Sequence, residues 1–223
     1  MLSVFAVSLY NHNMNADKIL EKLKAMHPDA RCELNFETPF QLLVAVILSA
    51  QCTDKRVNIV TDELFKKYST PADFAALSPE ELEPLIHSCG FFRNKAQNII
   101  LAARAVIERF GGEVPRTMEE LLTIPGTGRK TASVVLTVAF GMPAMPVDTH
   151  VFRVAHRLAL SDGKTPDAVE SELKNEFKPE DWNALHHAMI FHGRYICKAA
   201  RPACGECALR SECAYYINEK KEA

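Results

Sequence analysis

Apolar residues recur along this chain at intervals of three and four, and nowhere in strict alternation. That period belongs to a helix that buries one face. Ile19, Leu20, Leu23 and Met26 form the first such stripe, over Ala16 to Met26, and His27-Pro28-Asp29 ends it. Thr38-Pro39-Phe40-Gln41 is a capping box with proline at the first helical position. It opens an apolar helix through Ala50 that should be buried. Thr53 to Tyr68 is amphipathic, and Ser78-Pro79-Glu80-Glu81 caps a helix leading to His87. Asn94 to Phe110 runs to the stop Gly111-Gly112, and Thr117-Met118-Glu119-Glu120 caps a short helix. Lys130 to Phe140 carries Ala132, Val134, Val135, Leu136, Val138 and Ala139 nearly all round, which predicts a central helix stopped by Gly141-Met142-Pro143. Asp148 stands at an N-cap position ahead of the stripe Val151, Val154, Ala155 and Leu158. Thr165 to Phe177 is a further capped helix, and Pro179 to Tyr195 carries Trp182, Leu185, Met189 and Ile190 inward. With no alternating run and no β-hairpin signal, the expected fold class is all-α.

Composition adds bounds rather than an identity. The 223 residues, 48% hydrophobic, suffice for one large domain or two small ones. No repeat or low-complexity linker marks a boundary. With 24% charged residues and a net charge of −2, any basic surface is local. No apolar run approaches the length of a membrane span, so no membrane partner is expected. Residues 1–13, MLSVFAVSLYNHN, weakly resemble a signal h-region but lack a basic n-region and a small-residue cleavage pattern. They read as a disordered tail or an over-long translation start, and the chain as cytoplasmic.

Candidate chemistry begins at Ile124-Pro125-Gly126-Thr127-Gly128-Arg129-Lys130. Gly126 and Gly128 let the backbone turn sharply and expose N–H groups. The helix that follows starts near Arg129, where unpaired N–H groups and the dipole favour an anion such as phosphate. Lys130 faces the positive end of that dipole. It is therefore either a phosphate clamp or an amine favoured in its neutral form. An ordinary helix–helix turn with a solvated lysine fits these seven residues equally well.

The seven cysteines divide into scattered Cys32, Cys52 and Cys89, and a cluster of Cys197, Cys204, Cys207 and Cys213. An odd total with isolated members does not fit a secreted disulfide framework. The cluster, spaced Cys-x6-Cys-x2-Cys-x5-Cys, asks for a metal. Only Cys204 and Cys207 form a zinc-type knuckle, so the spacing admits zinc or an iron–sulfur cube. Arg194, Lys198, Arg201 and Arg210 make a local basic knot there, partly offset by Glu206 and Glu212. Such a loop serves as a phosphate contact, as an electrostatic partner of the thiolates, or both.

Taken together, these pieces resemble the endonuclease III family of helix-hairpin-helix DNA glycosylases. Leu122 to Ala132 matches the hairpin and its lysine, and Pro146-Val147-Asp148-Thr149-His150-Val151-Phe152-Arg153 matches the segment of the catalytic aspartate. His192-Gly193-Arg194-Tyr195 leads into Cys197 with the family's spacing. Leu48-Ser49-Ala50-Gln51-Cys52-Thr53-Asp54 and Gly90-Phe91-Phe92-Arg93-Asn94-Lys95-Ala96 match two more signatures. The resemblance runs from about Ala16 to Tyr216 and leaves residues 1–13 outside.

The resemblance implies two helical lobes with a DNA-binding cleft between them. One is a six-helix barrel over residues 32–142, with the helix-hairpin-helix at about 117–137; the other joins residues 14–31 to 143–223 around a [4Fe–4S] cluster held by Cys197, Cys204, Cys207 and Cys213. It implies that Lys130 attacks the sugar and that Asp148 stabilises the developing positive charge. Gly126, Thr127, Gly128 and Arg129 would grip DNA phosphate, Thr127 through its backbone, so that its side chain should tolerate change. Gln51 would fill the space left by an extruded nucleotide, and Phe91 stands where the family often has an apolar wedge. Arg194, Lys198 and Arg201 would add basic contacts. The implied partner is double-stranded DNA containing a damaged base or an abasic site, and the implied state is monomeric. His150, His186 and His187 read as packing residues, and Cys52 as a packing substitution. Two other functions compete: a monofunctional adenine-mismatch glycosylase, against which Lys130 counts, and a non-catalytic DNA-binding or redox-sensing protein, which needs neither Lys130 nor Asp148.

Overall fold

The computed structural model describes the backbone of residues 4–219 and the side chains of residues 15–218. Among the described residues there is no strand. The chain forms two compact units, Cys32–Met142 and Met1–Arg31 with Pro143–Ala223.

The unit Cys32–Met142 is built around α2 (Pro39–Ser49), in which every residue from Phe40 to Leu48 is buried. Its one polar member, Gln41, turns its side chain back: the Glu37 N–H donates to Gln41 Oε1 at 2.7 Å. The Thr38 hydroxyl accepts from the Gln41 N–H at 3.2 Å and caps the helix. A helix buried on all sides must be enclosed, and α3 (Asp54–Lys67), α6 (Phe92–Phe110) and α8 (Arg129–Phe140) supply the walls. In α3, Val57, Val60, Thr61 and Leu64 make the buried stripe.

Between these walls come α4 (Pro71–Ala75) and α5 (Pro79–Ile86). The sequence reading passes over α4, because five residues are too few to show a period. It is held by a Thr70/Asp73 capping box and by Phe74, fully buried edge-on to Phe40. Helix α6 (Phe92–Phe110) starts two residues before the expected Asn94, with Phe91 as its cap. It ends as expected: Gly111 is left-handed, and the Gly112 N–H donates to Val106 O at 3.0 Å. Helices α7 (Met118–Leu121) and α8 (Arg129–Phe140) flank the hairpin. Helix α8 packs on α2 through Ala132, Val135 and Leu136, while Val134, Val138 and Ala139 are half-buried. The enclosed central helix is therefore α2, not α8.

The other unit joins α1 (Val4–Met26) to α9 (Thr149–Arg157), α10 (Pro166–Glu176), α11 (Trp182–Phe191) and α12 (Ala214–Glu219). The backbone is helical from Val4, where the sequence reading has a tail through residue 13; the side chains of that stretch lie outside the described residues. Ile19 and Leu23 of α1 are fully buried, in one core with Val151, Val154, Ala155, Val169, Leu173 and Leu185. Burial on that scale contributes roughly 1.5–3 kcal/mol per large aliphatic side chain. Polar ties close the unit. Lys18 and Lys22 of α1 bind the Glu212 carboxylate at 2.7 and 2.8 Å, and Lys22 also donates to Ala208 O at 2.9 Å. The Glu212 side chain is only 4% exposed. Burial pushes its carboxyl up, but the hydrogen bonds from Lys18, Lys22 and Ser211 outweigh that and hold it down at about 2.

Candidate active site and cysteine-lined cavity

The hairpin is a tight turn seated by Leu121 and Ile124, both buried. The Thr127 N–H donates to Ile124 O at 3.0 Å, and Gly126 takes φ +78. A Cβ at Gly126 would stand 2.8 Å from Asn98 Cβ, so glycine is required there twice over. Gly128 differs from expectation. Its φ is −83, and a Cβ there would meet nothing within 4 Å. The unit's own packing therefore does not demand glycine at 128. As N-cap of α8, Gly128 leaves the first turn without a side-chain cap. Arg129 and Lys130 follow at the first two helical positions, both exposed.

Thr127 corrects the sequence reading in two respects. Its N–H is engaged inside the turn, and its side chain is 6% exposed with a buried hydroxyl that finds no hydrogen-bond partner among the described residues. It is a packing residue, and substitution there disturbs the hairpin's seat.

Gln51 and Phe91, in the same unit, share an unusual backbone. Both are exposed, Phe91 to 65%, and both are left-handed, with φ +55 and +46. For non-glycine residues that conformation costs about 1–3 kcal/mol and persists only where the surroundings impose it. Lys95 braces the chain beside both of them. Only 5% exposed, its ammonium donates to Leu48 O and to Cys89 O, each at 2.8 Å. It thereby ties the end of α2 to the turn His87–Cys89. The sequence reading quoted Lys95 within a motif and gave it no role. The available signal was its register: Lys95 falls on the same helical face as Ile99 and Ala102, which are buried.

Asp148 caps α9 as expected. Its Oδ1 accepts from both the His150 and Val151 N–H groups at 2.8 Å. Its Oδ2 takes no hydrogen bond among the described residues. One carboxylate oxygen thus holds the helix start. His150 packs against Arg153, with Nδ1 3.2 Å from the guanidinium; burial pushes its imidazole down, towards the neutral form. His186 is buried at 2% exposure, and burial likewise lowers His187.

The four clustered cysteines line one pocket, together with Arg157, His192, Ile196 and Tyr215. Among the described residues, no three His, Cys, Asp or Glu side chains are gathered as ligands of a single ion. Donors point at the sulfurs: Arg157 Nη1 lies 3.3 Å from Cys197 Sγ, and the Leu209 N–H donates to Cys207 Sγ at 3.4 Å. Burial raises the Cys207 and Cys213 thiols, and the neighbouring cysteines raise them further.

Sequence reasoning missed the two arginines that shape this segment. Arg153 donates to Cys197 O at 3.0 Å and Gly193 O at 2.8 Å. Arg157 donates to Lys198 O at 2.8 Å and Ala199 O at 3.0 Å. Their signal was i, i+4 spacing on a helix, which surface arginines share. A Cβ at Gly193 would stand 2.8 Å from His150 Cβ, so that glycine permits the close approach. Arg157 of α9, outside the basic knot, touches the Cys197 thiol, and Arg210 of the knot lines the same pocket. Lys198 and Arg201 are exposed, Arg201 with φ +53, and Arg194 is half-buried.

Comparison with known proteins gives the family. Residues 44–179 match the model of the HhH-GPD superfamily of base excision DNA repair proteins. Endonuclease III of Bacillus subtilis is 52% identical over 87% of this chain and 89% of its own length. That of Escherichia coli K12 is 43% identical over 89% and 94%. Among solved structures, a non-covalent endonuclease III–DNA complex superposes with a TM-score of 0.89 at 47% identity, covering 94% of this chain and 98% of that one. A trapped endonuclease III–DNA covalent intermediate matches with the same TM-score, 0.89. The chain belongs to the HhH-GPD superfamily of base excision DNA repair proteins, within its endonuclease III family.

Proposed function

We propose that this protein is a bifunctional DNA glycosylase and abasic-site lyase that removes oxidised pyrimidines from double-stranded DNA and cuts the strand 3′ to the lesion. The observation that carries this reading is Lys130, exposed in the uncapped first turn of α8 directly behind the hairpin. Gly128 supports it: a glycine the fold does not require leaves room for a phosphate to approach the α8 amides. A trapped covalent DNA intermediate of a relative 47% identical favours a covalent mechanism over pure binding. Lys130 likewise counts against the adenine-mismatch reading.

A base inside the duplex is out of reach, so the damaged nucleotide must leave the stack. Gly126, Gly128 and Arg129 hold the backbone, Gln51 enters the space vacated, and Phe91 wedges the opposite side. Their exposed, strained positions suit side chains that wait for a partner. The Lys130 Nζ lone pair attacks C1′ and the bond to the base breaks, the base leaving with a proton. Opening of the sugar gives a Schiff base. Loss of a C2′ proton then expels the 3′ phosphate. Asp148 Oδ2 stabilises the positive charge that develops on the sugar and assists proton transfer.

The cysteine cavity suits a [4Fe–4S] cluster. A single zinc would draw the sulfurs to about 3.8 Å from one another, given Zn–S bonds of ~2.3 Å. Four cysteines spread around a cavity, with no ion-sized gathering, fit the larger cube. The cluster, when bound, supplies a four-point cross-link to residues 197–213. Arg153 and Arg157 hold the carbonyls of that segment, and Lys198 and Arg201 offer charge to phosphate. The protein acts as a monomer in the cytoplasm; no helix among the described residues is long and apolar enough to cross a membrane.

The test is borohydride trapping on duplex DNA carrying an abasic site or an oxidised thymine. The native protein should give a covalent adduct and Lys130→Ala none, a loss of roughly a thousandfold or more. A native protein that binds the DNA yet forms no adduct would rule out the lyase.

A further inference from the structure

His192 opens the cysteine-rich segment and takes no part in the chemistry above. It is 2% exposed, at the start of the π turn His192–Ile196. A buried imidazole needs a partner for each of its two ring nitrogens. Here both are met by side chains. His192 Nε2 lies 3.6 Å from Cys207 Sγ, and His192 Nδ1 lies 3.1 Å from His27 Nε2. His27 is half-buried in the turn that follows α1, 165 positions away in sequence. Its ring meets that of His192 edge-on, with centroids 5.3 Å apart. The His192 carbonyl also accepts from the Cys197 N–H at 2.6 Å. One residue thus touches two of the clustered cysteines, Cys207 through its ring and Cys197 through its backbone. In the sequence His27 only ends a helix and His192 only opens a motif; the fold puts them in contact.

These contacts fix the direction of the hydrogen bonds. A cysteine that ligates a metal has lost its proton, so its sulfur only accepts. His192 must therefore present Nε2–H to Cys207. The neutral ring then accepts at Nδ1, and His27 Nε2–H is the donor that suits it. Cys207 Sγ already accepts from the Leu209 N–H at 3.4 Å, so the imidazole adds a second donor, one that belongs to a side chain. Donors aimed at a ligating sulfur favour the more electron-rich state of an iron–sulfur cluster and raise its reduction potential.

We propose that His27 and His192 are a tuning pair for the cysteine pocket: His192 donates to Cys207 Sγ, His27 holds it in that tautomer, and the bound cluster yields an electron less readily as a result. The inference rests on the [4Fe–4S] reading of the pocket given above. Both histidines are positioning residues, acting through the Cys207 sulfur.

The full-length, cluster-loaded protein is titrated with hexacyanoferrate(III) in the presence of redox mediators, and the midpoint is read from the visible absorption of the cluster. One electron passes from the cluster to hexacyanoferrate(III), giving hexacyanoferrate(II), and no proton moves. His192→Phe keeps a ring in the site and removes the donor. Its midpoint should fall by the equivalent of a tenfold change in the ratio of oxidised to reduced cluster, about 59 mV for one electron. His27→Phe should shift the midpoint the same way by less, and His27→Gln, which keeps an N–H donor, should restore it. A His192→Phe protein with full iron and sulfide and a shift below about a twofold ratio overturns the tuning. An unshifted His27→Phe, or an equal shift in His27→Gln, overturns the part given to His27. Where His192→Phe fails to take up iron, nitrogen NMR of the native histidine rings decides: a protonated Nε2 on His192 is expected, and a bare Nε2 overturns the bond to Cys207. A native protein without iron and sulfide sinks the cluster reading itself, a different failure from a loaded protein whose variants do not shift.

Discussion

The two units hold themselves together by different means. Cys32–Met142 is a continuous stretch of chain whose core is apolar packing around α2, with nine consecutive buried residues. Its buried ammonium, Lys95, serves the two turns at its surface. The other unit is made from two separated stretches. Between α11 and α12 it carries a long segment with little regular helix, only a π turn at His192–Ile196 and a 3-10 turn at Cys204–Glu206. Backbone groups in such a segment must find partners other than a helix ladder. They find Arg153, Arg157 and Lys22. Apolar packing suffices for helices with stripes. A cysteine-rich loop with few apolar residues is held by cations and, on the proposal above, by a cluster that cross-links it.

Removing the proposed cluster is the strongest way to break that comparison. A stripped protein, or Cys207→Ser, should lose protection of residues 197–213 from proteolysis while 32–142 stays resistant. Uniform cleavage of both units would show that the cross-link supports the whole chain. Lys95→Met should come next, at about 3 kcal/mol, since it orphans two buried carbonyls. It is read from urea unfolding, and a loss under about 0.5 kcal/mol would show that packing alone holds the two turns. A smaller effect belongs to Glu212. Its folded carboxyl sits at about 2, against an ordinary 4.5, so its contribution is fully present above about 4.5 and is lost as pH falls through about 2. Thermal midpoints of the native protein and Glu212→Gln should therefore converge as pH falls across that window; parallel curves would remove Glu212 as the clasp. The smallest effect should come from neutralising exposed Lys198 and Arg201 together. The salt dependence of DNA affinity should become shallower by up to two phosphate contacts, and an unchanged slope would take the loop out of the interface.

Much of the fold was legible because it is local. The caps at Thr38, Thr117, Asp148 and Thr165, and the glycine stops at Gly111 and Gly141, each need only a few neighbouring residues. What escaped was local but short, as with α4, or depended on enclosure. Helices α2 and α8 look alike as apolar runs, yet only α2 is surrounded. At the site, the hairpin, Asp148 and the cysteine spacing stood out because their residue types are unusual at those positions. Lys95, Arg153 and Arg157 did not, since a lysine or arginine on a helix reads as solvated until something covers it.

Sequence by itself determined the all-α class, the helix ends and the candidate chemistry at Lys130, Asp148 and the four cysteines. Each rests on backbone conformations and side-chain chemistry that adjacent residues specify. Tertiary structure alone decided that Gly126 rather than Gly128 takes the left-handed turn, and that Thr127 is buried. It also decided that Asp148 spends one oxygen on its helix, and that Lys95 is buried between Leu48 O and Cys89 O. Those outcomes depend on which surfaces come together, and burial and distance between remote residues are properties of the packed chain.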